Sequence, residues 1–320
     1  MNTLVAGGAG FLGSHLCRAL LDRGDTVICV DNFATGFQTN VATLMADRRF
    51  HLIEHDIVES FDRCEELQGL LQSLPLHRIC NLASPASPAA YQRLGVETLM
   101  VGSVGVKNLL DLSLTTGARM LHASTSEVYG DPQVHPQPES YWGHVNPNGP
   151  RSMYDESKRF AEALCAVYIA KYSVEIRTVR IFNTYGPMMG PNDGRVISSF
   201  IGKALRGEPL TVFGDGTQTR SFCYVSDQVR GQLALLESDV TGPVNIGNSH
   251  EFSMLELAEL VLELTESSSK IDFLPLPVDD PRQRRPDGAR ALSTIGWEPE
   301  IDLHEGLRLT IDWFRSSGSV

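Results

Sequence analysis

A doubly wound α/β fold, a parallel sheet with helices on both faces and a smaller C-terminal lobe, is what this 320-residue sequence predicts. Three observations lead there. Short apolar runs alternate with longer segments of helical periodicity through the first half. A glycine triad sits where the first apolar run gives way to the first helical pattern. From about residue 183 the texture changes, first to NTYGPMMGPNDGR and later to the Pro-rich LPLPVDDPRQRRPD.

Segments 2–6, 26–30, 50–53, 78–83, 120–123 and 175–181 read as strands, being short, apolar or β-branched and bounded by turn or polar residues. Between them, 11–22, 98–116 and 153–172 carry apolar residues at helical spacing, and 59–76 reads as a helical insertion. In such sheets a ligand sits outside the carboxyl ends of the strands. The expected division is a Rossmann-type dinucleotide-binding domain over 1–182 and a mainly substrate-binding lobe over 183–320, with some of its segments returning to the first domain.

Composition narrows the function classes. At 42% hydrophobic, the chain can bury a large core. A formal charge of −12 argues against nucleic-acid binding, which favours a basic face. The six cysteines follow no CxxC or metal-ligand spacing, so buried free thiols and no metal site are expected. MNTLVAGGAG is too short and Gly-rich for a signal peptide or membrane span, which gives the expectation of a cytoplasmic, membrane-free protein.

In LVAGGAGFLGSHL, Gly7 permits the tight turn, Gly10 lets backbone approach a pyrophosphate, and Gly13 allows close helix packing. The phosphates would then meet the positive end of the helix beginning near Phe11. Asp31 ends the second strand about twenty residues on, where a carboxylate accepts hydrogen bonds from a ribose and repels a 2′-phosphate, favouring NAD over NADP. Downstream, Tyr154-Asp-Glu-Ser-Lys158 sets a phenol and an ammonium one helical turn apart on one face. An isolated phenol titrates near ~10, and the Lys158 ammonium together with the positive nicotinamide is expected to bring Tyr154 down so that it can take a hydroxyl proton. Thr125, at the end of a strand in LHASTSEVYG, can hydrogen-bond the same substrate oxygen. A lone YxxxK is common, but the triad, Asp31, Thr125 and YxxxK in this order form a specific combination.

These residues resemble the extended short-chain dehydrogenases that modify nucleotide sugars. Within them the likeness is strongest to the UDP-glucuronate decarboxylases, through NLASPASP, ASTSEVYGDP, VHPQPESYWGHVNPNGPR, YDESKR, RIFNTYGP, GEPLTVFGDGTQTRSFCYVSD and DDPRQRRPD. The resemblance covers the chain from its start to about residue 300. Related sugar 4,6-dehydratases have Asp-Glu where this chain has Ser126-Glu127, so the acid that expels a C6 hydroxyl is missing here. Keeping Glu127 without that acid suits decarboxylation of UDP-glucuronate to UDP-xylose: oxidation at C4, loss of CO2, protonation at C5 by water near Glu127, and re-reduction with NAD recycled. UDP-glucuronate 4-epimerase, or another epimerase or dehydratase of the family, is the alternative.

The resemblance also implies site residues. Around the cofactor it places Phe11, Leu12, Asn32, Phe33, Thr35, Gly36, Asp56, Ile57, Leu82, Ala83, Ser84, Thr184 and Arg195. Around the substrate it places Pro85, Ser126, Asn183, Val196, Arg220 and Arg284, the last counted with Thr125, Glu127, Tyr154 and Lys158 as catalytic. Arginines suit a diphosphate because their forked donors match its oxygens, although RQRR alone reads as a solvated basic loop. Tyr91 reads equally as a substrate-loop residue or a core aromatic. A homodimer formed through a helix pair including 98–116 is implied as well. The chain departs from the family at Met100-Val101-Gly102, where relatives carry a lysine and an asparagine, and at Asn148, where they carry an apolar residue.

Overall fold

A computed structural model describes residues 1–190, 193–276 and 283–318. Six strands come from the first 181 residues: β1 (Asn2–Ala6), β2 (Thr26–Asp31), β3 (Phe50–Glu54), β4 (Arg78–Asn81), β5 (Arg119–Thr125) and β6 (Ile176–Ile181). A seventh, Pro243–Ile246, returns from the later half. All pair in parallel in the order Pro243–Ile246, β6, β5, β4, β1, β2, β3. The order reverses between β1 and β4, which opens a crevice at their carboxyl ends.

Alternation along the strands feeds two hydrophobic layers. Leu4, Ile28, Ile79, Met120 and Ile176 pack with Leu67, Leu109, Leu110 and Cys165 on one face. Val5, Val27, Cys80, Leu121 and Val179 pack with Leu16, Leu20 and Leu235 on the other. This second cluster runs without a break into Phe200, Leu210, Leu257, Leu307 and Phe314 of the later helices and strands (the smaller lobe), which share this one core with the sheet. All six cysteines are buried and unpaired. Among the described residues, no helix is long and apolar enough to cross a membrane.

Three elements differ from their sequence-based expectation. The strand over 78–83 stops at Asn81, because the Asn81 side chain accepts a hydrogen bond from the Ala83 N–H and turns the chain. The helix over 59–76 breaks into a short turn, Phe61–Arg63, and the helix Glu65–Leu71, the turn being capped by the Ser60 side chain. The helix over 98–116 starts earlier, as Gly95–Met100, widens through a π-helical turn at Val101–Gly105, and resumes as Val106–Thr116.

That widened turn packs on the helix Ser152–Tyr172, and a Cβ at Gly102 would lie 2.6 Å from the Ser157 Cβ. Alanine normally gains about 1 kcal/mol over glycine inside a helix. Here overpacking, which costs about 1–3 kcal/mol, opposes that gain. Gly102→Ala is therefore expected to lower the calorimetric melting temperature by a few degrees, and an increase would show that the helices part without cost.

Candidate active site

At the carboxyl ends of the strands lies a cleft of about 1240 Å³ shared by the sheet and the smaller lobe. Its floor is the turn between β1 and the helix Phe11–Asp22. Gly7 adopts φ +77°, and a Cβ there would sit 2.7 Å from the Ala83 backbone nitrogen. A Cβ on Gly13 would fall 2.0 Å from the Gly7 carbonyl oxygen. The helix begins without a side-chain cap and without an acidic residue in its first turn. Its first N–H groups are thus left for an anion, and the chain bends too tightly for any side chain. This cradle fits the pyrophosphate of NAD.

Asp31 braces the cradle. Its carboxylate accepts the backbone N–H of Ala9 and of Phe33, each at 2.9 Å, tying the glycine turn to the loop after β2. Burial raises its pKa and these two bonds only partly offset that. Phe33, Thr35 and Gly36 line the cleft beyond it, as do Leu82 and Ser84 after β4.

On the opposite wall, β5 ends at Thr125 and delivers Thr125, Ser126 and Glu127. The Thr125 hydroxyl lies beside the Tyr154 phenol and favours its ionised form. Tyr154 is buried, stacked at 5.0 Å on Tyr91, and burial pushes its pKa up to about 12, with Thr125 pulling the other way. Lys158 lies 5.8 Å from the Tyr154 ring centroid and donates to the Ala123 carbonyl at 2.8 Å. Burial brings Lys158 down to about 8. Among the protein's own groups, burial thus outweighs the opposing pull on the phenol, and the positive nicotinamide is the remaining part of the expected lowering.

Glu127 is clamped between two guanidiniums. Arg151 Nη2 donates to one oxygen at 2.6 Å and Arg284 Nη1 donates to the other. Burial alone would raise the Glu127 pKa, but Arg284 and Arg151 together reverse this and hold it below the usual carboxylate range. Arg284 arrives from the strand Gln283–Arg284, which pairs with Thr219–Ser221, and it also donates to the Gly130 carbonyl at 3.1 Å. Arg220 lines the cleft from that neighbouring strand.

The cleft wall gathers Gly7, Gly10, Phe11, Leu12, Gly13, Asn183, Thr184, Arg195 and Val196 with the residues above. Arg195 pairs with Asp193 at 2.6 Å and lies 5.9 Å over the Phe11 ring. Asn32, Asp56, Ile57, Ala83 and Pro85 are not on the wall. Asn32 and Asp56 bond to each other at 2.9 Å, and Ile57 is in the core. Tyr91 proves to be both a core aromatic, 1% exposed, and a cleft residue. Arg151, at the N-cap of the helix Ser152–Tyr172, was not among the residues singled out from the sequence, and its partner Glu127 lies 24 residues earlier.

Residues 3–247 match the model of the NAD dependent epimerase/dehydratase family. UDP-glucuronic acid decarboxylase 1 of Danio rerio is 50% identical over 311 residues, 97% of this chain and 72% of that protein. The UDP-glucose 4-epimerase of Thermotoga maritima, solved with UDP-glucose, superimposes with a TM-score of 0.90 at 30% identity over 99% of both chains. The UDP-glucuronic acid 4-epimerase of Bacillus cereus, solved with UDP-glucuronic acid and NAD, gives a TM-score of 0.87 at 30% identity over 99% of this chain and 100% of that one. The glycine cradle, the Tyr154/Lys158 pair and this similarity over nearly the whole chain agree: the chain belongs to the NAD dependent epimerase/dehydratase family, in its UDP-glucuronic acid decarboxylase branch.

Proposed function

We propose that this chain decarboxylates UDP-glucuronate to UDP-xylose. The observation that carries the reading is the Thr125-Ser126-Glu127 turn, where Glu127 is fixed as a carboxylate by Arg151 and Arg284 and Ser126 offers no acid for expelling a C6 hydroxyl. Half-identity to a UDP-glucuronic acid decarboxylase over nearly the whole chain supports it.

NAD, held by the turn through Gly7, Gly10 and Gly13, would supply reversible hydride transfer at C4. In the NAD-loaded site Tyr154 would act as the phenolate and take the proton of the C4 hydroxyl, its ring held by stacking on Tyr91 and its oxygen beside Thr125. Lys158, held by the Ala123 carbonyl, keeps a positive charge near the phenol and would hold the nicotinamide ribose. Once C4 is a ketone, the C5–C6 electrons flow onto the C4 oxygen as CO2 leaves. The Thr125 and Tyr154 hydroxyls stabilise that oxygen. C5 is protonated on the Glu127 side, and Tyr154 returns its proton to O4. Arg220 and Arg195 are assigned to the diphosphates of substrate and cofactor.

The 4-epimerase reading shares the oxidation and is kept alive by the likeness to the Bacillus cereus enzyme. Incubation with UDP-glucuronate and NAD separates the two: CO2 and UDP-xylose by NMR are expected, whereas UDP-galacturonate without CO2 would overturn decarboxylation. Val96, Leu99 and Met100 expose apolar side chains, as do Phe160 and Val167, and the two helices that carry them are assigned to a homodimer interface. Six unpaired buried thiols favour a reducing, cytoplasmic setting.

Tyr154→Phe is expected to cut turnover at least about 10²-fold while NAD stays bound, read by CO2 release and by nucleotide retained on the purified protein; unchanged turnover would remove Tyr154 from the chemistry. The Lys158 ammonium is lost as pH rises through about 8. Wild-type NAD affinity should therefore fall across that range, and Lys158→Met should bind weakly with a flat profile. A wild-type affinity independent of pH between about 7 and 9 would contradict the role given to Lys158.

A further inference from the structure

A second cavity, of about 440 Å³, lies behind the wall that carries Glu127. Its floor is Glu127, Asp155 and Arg284, and it reaches the surface at the exposed residues Asp131, His144 and Asn146. Glu127, Arg151 and Arg284 line both this cavity and the main cleft, so a single layer of side chains separates them. Asp155 is 6% exposed, and its Oδ1 has no hydrogen-bond partner among the described residues. A cavity this roomy and this polar holds water.

The proposed reaction needs such an entrance. The proton that Tyr154 removes from the C4 hydroxyl returns to O4 on re-reduction and cannot also serve C5. When the C5–C6 bond breaks, its electron pair moves to the C4 oxygen and CO2 departs. That pair then forms a new C5–H bond, so each CO2 released consumes one proton from solvent. Glu127 is a poor carrier, because its two arginines hold it ionised.

We propose that the second cavity is the proton entrance of the reaction, Asp155 collecting protons from solvent and passing them through cavity water to the Glu127 side of the cleft. The inference rests on the decarboxylation reading. Asp155 is fitted to this role by its surroundings. Burial first, then Glu127, raise its pKa to about 7, against the pull of Arg151 and Arg284. Glu156 adds a smaller rise. Tyr91 and Tyr154 face it from the cleft side, and Asp131 and His144 stand at the mouth. Near neutrality Asp155 is thus both loaded and reloadable, and its acid form is lost as pH rises through about 7.

The deciding measurement is kcat for CO2 release against pH, with the full chain, NAD and UDP-glucuronate. Wild-type kcat should fall as pH rises through about 7. Asp155→Asn should lower kcat about ten-fold, abolish that limb, enlarge the solvent deuterium isotope effect and leave KM unchanged. Asp155→Glu should restore the limb at a displaced pH. A loss of rate in Asp155→Asn with the limb intact would mark Asp155 as structural only and overturn the proposal. If Asp155→Asn does not accumulate as folded protein, Asp155→Glu decides, and an unmoved limb overturns the idea. A wild-type protein that oxidises UDP-glucuronate but releases no CO2 fails at the decarboxylation reading instead, and the proton entrance falls with it.

Discussion

The ion trio of Glu127, Arg151 and Arg284 is the interaction on which the site depends. It joins three distant stretches of chain: the turn after β5, the start of the helix Ser152–Tyr172, and the strand Gln283–Arg284 of the smaller lobe. All three groups are largely withdrawn from water, so each charge is tolerable only because the others are present. Deleting one member of such a buried set costs about 3–5 kcal/mol, since the remaining charges lose their compensation. The trio ties the strand Gln283–Arg284 to the turn after β5, holds Glu127 as an anion, and lines both the cleft and the second cavity.

What the sequence made legible was what depends on local pattern. The glycine turn, the strand–helix alternation and the one-turn spacing of Tyr154 and Lys158 are each set by neighbours within a few residues. The helix Phe11–Asp22 has the same limits in sequence and structure. What was not legible depends on distance. Nothing near Arg151 in the chain reveals that a carboxylate 24 residues earlier needs it. The balance at Tyr154 was likewise hidden, because burial is a property of the assembled cleft and the YxxxK spacing reports only the nearest charge.

The stretch Met100-Val101-Gly102 has a structural setting: Val101 and Gly102 open the π-helical turn that packs on the helix Ser152–Tyr172. Bare backbone at Gly102 meets Ser157, the immediate neighbour of Lys158. This stretch is thus a packing contact beneath the helix that carries Tyr154 and Lys158, and Arg93, Arg151 and Arg220 bring positive charge to the cleft wall.

Asp31 carries a consequence for cofactor engineering. Exchanging such an acid for a neutral or basic residue is the obvious route to accepting a 2′-phosphate. In this chain the same carboxylate also receives the N–H groups of Ala9 and Phe33, and a Cβ on Gly36 would lie only 2.9 Å from it. Removing it would release the glycine turn and the following loop together. Preference for NAD is therefore welded to the architecture of the cradle, and a redesign for NADP must first rebuild both loops around a different anchor.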